Sequence, residues 1–155
     1  MNILLILTLL IIEMVEGSIR LNFHWVRHGE TSANRDGLLQ GHSDYPLTEN
    51  GEQGAILIGR LLKNMKWHSI FVSDLGRAQK TARILLSESD SPILLHSAKT
   101  TKTIREKNFG VRENMPRSVT EDQAKEIFAK KNGLKISEVE NNAEVHTLNI
   151  NFVYN

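Results

Sequence analysis

Short apolar runs of extended character alternate with helical patterns along most of this chain, and that alternation leaves few architectures open. Residues 21–26, with Phe23, Trp25 and Val26, read as a strand that ends in the charged cluster Arg27, His28, Gly29 and Glu30. Turn-forming Gly37, Gly41, Asp44 and Pro46 mark residues 31–47 as a loop. Thr48 can cap a helix that runs through Ala55, Ile58 and Leu61 to Lys63. Its Gly51, Gly54 and Gly59 each cost up to ~1 kcal/mol relative to Ala, which points to close packing against a neighbour. Residues 69–72 form a second strand, and Ser73 can cap a helix in which Leu75, Ala78, Ala82 and Leu85 recur at helical spacing. Residues 93–96 make a third strand, and a further helix fits residues 119–131 with Ala124, Ile127 and Phe128 as its apolar stripe. Strand, helix, strand, helix, strand predicts an α/β fold, a doubly wound and mainly parallel sheet with helices on both faces. Ligands then belong at the carboxyl ends of the strands.

The amino-terminal residues stand apart from this pattern. Residues 3–12 are nine aliphatic side chains and one Thr, about half of the twenty or so that a bilayer span needs, so no stable membrane span is expected. The length suits a signal peptide cleaved ahead of Ser18, with small Gly17 at the cut and Val15 two places before it; an uncleaved hydrophobic extension and a mispredicted start are the alternatives. Cleavage implies the secretory pathway, and an uncleaved chain the cytoplasm. The chain therefore divides into a leader (1–18), a main domain (19–144) and a divergent tail (145–155). Nineteen Lys and Arg against eighteen Asp and Glu leave a net charge of +1, so no global field calls for a nucleic-acid partner and any anion site must be local. The absence of Cys removes disulfides, thiolate nucleophiles and Cys-ligated zinc. His42, His68 and His96 have no second ligand at a metal spacing, so no metal or other cofactor is expected. His24, Trp25 and Trp67 read as packing residues.

At the end of the first strand, Arg27 and His28 place a cation beside an imidazole, with the flexible Gly29 after it. Imidazole is nucleophilic without a separate base, so such a pair can hold a phosphoryl group within reach of a ring nitrogen. Alone, the pair is equally a solvated loop. Four motifs in order change that balance: Arg27-His28-Gly29-Glu30-Thr31 with Asn34; Gln40-Gly41 with Pro46-Leu47-Thr48-Glu49-Asn50-Gly51; the run from Ser73-Asp74-Leu75-Gly76-Arg77 to Thr81-Ala82; and Ile104-Arg105-Glu106 through Phe109-Gly110. Over residues 22–113 the chain resembles the histidine phosphatase superfamily. The resemblance implies that His28 accepts the phosphoryl group, that Arg27 and Arg77 clamp its oxygens, and that Glu106 protonates the leaving oxygen and then activates water. It implies also that Asn34, Gln40 and Gly41 contact the phosphate or shape its loop. Guanidinium groups suit this task because their fixed donors match phosphate oxygens in pairs.

Arg27-His28-Gly29-Glu30-Thr31 resembles the phosphoglycerate-mutase-like branch, and residues 104–113 look most like fructose-2,6-bisphosphatases of the TIGAR type. The implied activity is hydrolysis of a phosphate monoester on a small phosphorylated substrate through phosphohistidine. The alternatives are a mutase-like phosphotransferase and a member that binds phosphorylated ligands with little turnover. Two departures bear on that choice. Asn114 follows Glu113 where the family usually has Gly, which leaves the contacts after Gly110 open. No late Ser-His-Gly-like motif supplies the family's second His; His146 precedes the alternating residues 148–154 instead of following a strand. The mutase-like fold is therefore expected to be incomplete at the carboxyl terminus, with turnover reduced.

Overall fold

The computed structural model describes residues 7–15, 18–90 and 97–140. They fall into two compact units, Met1–Ser32 with Asp44–Arg105, and Ala33–Ser43 with Glu106–Asn155. The first unit carries a four-stranded sheet. Its strands are β1 (Leu7–Val15), β2 (Ser18–Val26), β3 (Ser69–Ser73) and β4 (Lys99–Thr101), in the spatial order β2-β1-β3-β4. Among the described residues, helices α2 (Glu49–Leu62) and α3 (Gly76–Ser87) provide the α layer.

The sheet is mixed where the sequence predicts a mainly parallel one. Only two residues separate β1 from β2, a distance that permits antiparallel pairing alone. β1, drawn from the apolar run read as a leader, pairs antiparallel with β2 on one side and β3 on the other. Both neighbours therefore run in the same direction, and Val26 of β2 and Val72 of β3 lie opposite the same residue, Leu7. The loops that follow β2 and β3 leave one edge of the sheet at one level. β3 and β4 pair in parallel, the connection that the strand–helix–strand pattern implies. The strand expected at residues 93–96 lies outside the described residues, as do the tail and His146.

The core lies between β3 and α3. Ile70 and Val72 alternate inward and meet Ala78, Ala82, Leu85 and Leu86, with Val26, Leu62, Trp67 and Ala98 packed against them. Thr48 caps α2 as expected, its hydroxyl accepting the Gly51 N–H at 3.1 Å. Two of the three α2 glycines have packing reasons. A Cβ on Gly51 would lie 2.1 Å from the Glu30 carbonyl, and one on Gly59 would lie 2.6 Å from that of Leu85, so α2 meets its neighbours backbone to backbone. Gly54 faces open space, and the expectation of close packing fails there. Trp67 packs on the core and meets His24 edge to face, whereas Trp25 is 42% exposed and stacks on the exposed Phe23. Phe23 and Trp25 are both exposed, so this face of the edge strand β2 is uncovered there among the described residues.

The second unit contains α4 (Glu121–Asn132) and α5 (Ile136–Glu140). Thr120 and Gln123 form a reciprocal capping box at the start of α4, and Gly133 ends it in the left-handed conformation. Ala124, Ala129 and Val139 are buried, but Ile127 is 50% and Phe128 37% exposed, so of the predicted stripe only Ala124 is buried. Residues 37–39 lie antiparallel to residues 114–117, with Leu39 N–H donating to the Met115 carbonyl and Asn114 N–H to that of Leu39. The short helix α1 (Ser32–Arg35) precedes this ribbon.

Candidate active site

His28 lies two residues beyond the end of β2 and is only 6% exposed. Two helices fix its loop. On the α2 side, the N–H and hydroxyl of Thr48 donate to the carbonyl and carboxylate of Glu30, and the missing Cβ of Gly51 leaves room for the Glu30 backbone. On the α3 side, the Gly29 N–H donates to the Thr81 hydroxyl at 2.9 Å, which donates in turn to the Arg77 carbonyl at 2.8 Å. A rigid loop of this kind keeps the imidazole in one orientation.

The ring itself is held in one tautomer. His28 Nδ1 lies 2.7 Å from the Gly29 carbonyl, an acceptor only, so Nδ1 carries the proton and Nε2 keeps its lone pair. Burial, above all, pushes the His28 pKa down from 6.5 to about 4; Arg77 and Arg27 push the same way, while the Gly29 carbonyl and Asp44 oppose them. At neutral pH the imidazole is therefore an uncharged nucleophile in a positive field.

Arg77 occupies the second position of α3 and is 1% exposed, whereas Arg27 is exposed to solvent. Both act electrostatically on His28. The start of α3 corrects one expectation. Ser73 is the last residue of β3, not the helix cap; Leu75 stands in the cap position without a capping side chain. Asp44 does that work from a distance. Its carboxylate accepts the backbone N–H groups of Gly76 and Arg77, the latter at 3.1 Å, and lies 3.7 Å from Arg77 Nη1. A carboxylate at a helix N-terminus satisfies orphan donors and complements the helix dipole. A cleft of about 430 Å³ opens here, with Asp44, Tyr45, Glu52, Gly76, Arg77 and Lys80 among its lining residues.

Arg105 closes this unit with a two-pronged ion pair to Asp74, its Nε 2.6 Å from Oδ1. The guanidinium holds the Asp74 carboxyl below the usual carboxylate range. Glu106 is the next residue in the chain.

The second unit carries Asn34, Gln40, Gly41 and Glu106. Gln40 is buried, Asn34 and Glu106 are half-buried, and the Asn34 carbonyl accepts the Gly37 N–H. Gly41 has φ +55°, and a Cβ there would lie 2.2 Å from Glu113 Oε1. Glu113 accepts from His42 N–H, Ser43 N–H, the Ser43 hydroxyl and Phe109 N–H, at 2.7 to 3.2 Å. The structure thus brings His28, Arg27 and Arg77 together in one unit, and Gln40 and Gly41 together with the loop of Glu106 in the other. The sequence offered Asp44 only as a turn former, Thr81 only within a motif and Glu113 only as the neighbour of Asn114; the contacts they make emerge in the structure. Asp44 sits in the motif-bearing loop, and the residues it contacts lie more than thirty positions away, so only folding reveals its task.

The sequence pattern of the Histidine phosphatase superfamily (branch 1) matches residues 23–147. The chain belongs to that superfamily. Members act on small phosphorylated substrates as phosphatases and mutases. Over 104 residues the histidine phosphatase chain is 43% identical to fructose-2,6-bisphosphatase TIGAR B of Danio rerio, a match that covers 64% of this chain and 38% of that protein. Among solved structures, phosphoglycerate mutase from Bacillus anthracis superposes with a TM-score of 0.54 at 31% identity, covering 75% of this chain and 49% of that one. The alpha-ribazole phosphatase from Shigella flexneri gives a TM-score of 0.52 at 30% identity, covering 76% and 52%. The phosphoglycerate-mutase-like α/β fold is thereby shown. The chain spans about two fifths of the length of the curated relative and about half of the solved chains. Among the described residues no helix is long and apolar enough to cross a membrane.

Proposed function

We propose that this histidine phosphatase hydrolyses phosphate monoesters through a phosphohistidine at His28. The observation that carries the reading is the state of the ring: buried, neutral, its Nδ1 proton committed to the Gly29 carbonyl, and its Nε2 lone pair in the field of Arg77 and Arg27. In the first step Nε2 bonds to phosphorus, and the bond from phosphorus to the ester oxygen breaks. Glu106, in the role implied by the family resemblance, gives its proton to that oxygen. Water then attacks the phosphohistidine, passes a proton to the Glu106 carboxylate and breaks the P–N bond, which restores His28. The two guanidiniums oppose the charge that spreads over the phosphoryl oxygens, where positioned donors are worth most.

For the substrate we propose a sugar phosphate of the fructose-2,6-bisphosphate kind, supported by the 43% identity with the Danio rerio protein of that name. The likeness to phosphoglycerate mutase favours a second reading, in which phosphohistidine passes its group to a sugar-acid hydroxyl instead of water. Both readings share the covalent step. Purified protein incubated with a labelled phosphate ester should acquire acid-labile, base-stable phosphate that His28→Ala does not. If the wild type takes up no such label, the covalent reading is wrong; chase of the label into water or into an added hydroxyl acceptor separates phosphatase from mutase.

A further inference from the structure

Glu106 stands in a loop whose shape is not set by its own sequence neighbours alone. His42 Nε2 lies 3.1 Å from the Glu106 carbonyl, an acceptor only, so Nε2 carries the ring proton and donates it. The opposite nitrogen, Nδ1, then offers a lone pair toward the Asn108 amide at 3.5 Å, the long limit of such a bond, while Asn108 Oδ1 accepts the Gly110 N–H at 2.7 Å. One tautomer and one amide orientation satisfy every partner in this set.

His42 is itself held by Glu113. Oε1 accepts its main-chain N–H at 2.7 Å and that of Phe109 at 3.2 Å; Oε2 accepts the N–H and hydroxyl of Ser43 at 2.8 and 2.7 Å. Four donors converge on one carboxylate, and Oε1 fills the space that a side chain at Gly41 would need. A single charged group therefore pins residues 41–43 to the loop of Glu106 at two places, the Phe109 N–H directly and the Glu106 carbonyl through His42. Charge-assisted bonds are the strong members of their class, and a fixed main chain narrows the positions its side chain can reach.

We infer that Glu113, acting through His42, is a positioning residue that sets where the Glu106 carboxyl stands. The inference rests on the reading of Glu106 as the proton donor. Gln at 113 is a severe change despite its shape, because its NH₂ must face either two N–H donors or the Ser43 pair.

The rate of phospho-His28 formation from two esters tests the inference. A p-nitrophenyl ester leaves without help, whereas an alkyl phosphate needs its oxygen protonated, so misplacing the acid lowers the alkyl rate more. Single-turnover labelling is measured with both esters for the wild type, Glu106→Gln, Glu113→Gln and His42→Ala. The alkyl-to-aryl rate ratio should fall at least tenfold in Glu113→Gln and in the same direction in His42→Ala. Equal losses on both esters, or none, overturn the positioning role. Should Glu113→Gln not fold, His42→Ala decides by the same ratio, since it keeps every bond of Glu113 to the main chain. If Glu106→Gln leaves the ratio unchanged, Glu106 is not the donor, and both readings fall together. If Glu106→Gln lowers the ratio and the other two variants do not, only the inference fails.

Discussion

His28 shows how one side chain ties reactivity to stability. Its imidazole is neutral in the fold down to about pH 4 but titrates near 6.5 when unfolded, so between those values the unfolded chain binds the extra proton. The stability that this group contributes is present above pH 6.5 and is lost as the pH falls toward 4. At about 1.4 kcal/mol per pKa unit the loss is on the order of 3 kcal/mol. Urea unfolding at pH 7 and pH 4.5 should therefore show the wild type losing roughly 2–3 kcal/mol more than His28→Asn, which has no proton to gain. Equal losses in the two proteins show that burial does not hold the ring neutral. Asn114 is a second case of a residue explained by its own geometry. It has φ +67°, the left-handed conformation that Gly adopts freely and that Asn tolerates best among other residues. Asn114 therefore suits the turn it occupies.

At the scale of elements, α2 and α3 act as the jaws that hold the nucleophile loop, and the contact with α2 depends on glycine. Gly51→Ala places a Cβ 2.1 Å from the Glu30 carbonyl, with backbone on both sides and no flexible side chain to yield. It should cost about 1–3 kcal/mol and lower His28 labelling as the loop shifts. Gly54→Ala, three residues on in the same helix, meets nothing within 4 Å and should stabilise by up to ~1 kcal/mol through helix propensity alone. Thermal unfolding of the two variants checks the contrast, and a neutral Gly51→Ala removes the close approach from the account. The helices themselves were legible in the sequence because a capping Thr and a 3.6-residue apolar repeat are local signals. The start of α3 was not. Ser73 has the composition of a cap, but the donors of Gly76 and Arg77 go to Asp44, which lies far away in sequence.

For the whole molecule, a net charge of +1 means that an anion gains little from the overall field and must find its attraction locally. Inorganic phosphate at a hundred times its dissociation constant adds about 2.7 kcal/mol to the stability of a protein that binds it only when folded. For a chain of this size that is a rise of several degrees in Tm. Phosphate should produce that rise in the wild type, chloride at equal ionic strength should not, and Arg77→Ala should lose most of it relative to its own baseline. A full rise in Arg77→Ala places the phosphate elsewhere. What the sequence by itself determined was the family, the α/β class and the identity of His28, Arg27, Arg77 and Glu106 as candidates, because those follow from ordered motifs and local periodicity. Only the tertiary structure decided that residues 7–15 form a strand between β2 and β3, that burial and the Gly29 carbonyl set the state of His28, and that Asp44 and Glu113 hold the loops around them. Strand partners, desolvation and the donors gathered by one carboxylate depend on residues brought together across the chain, and no local pattern encodes that meeting.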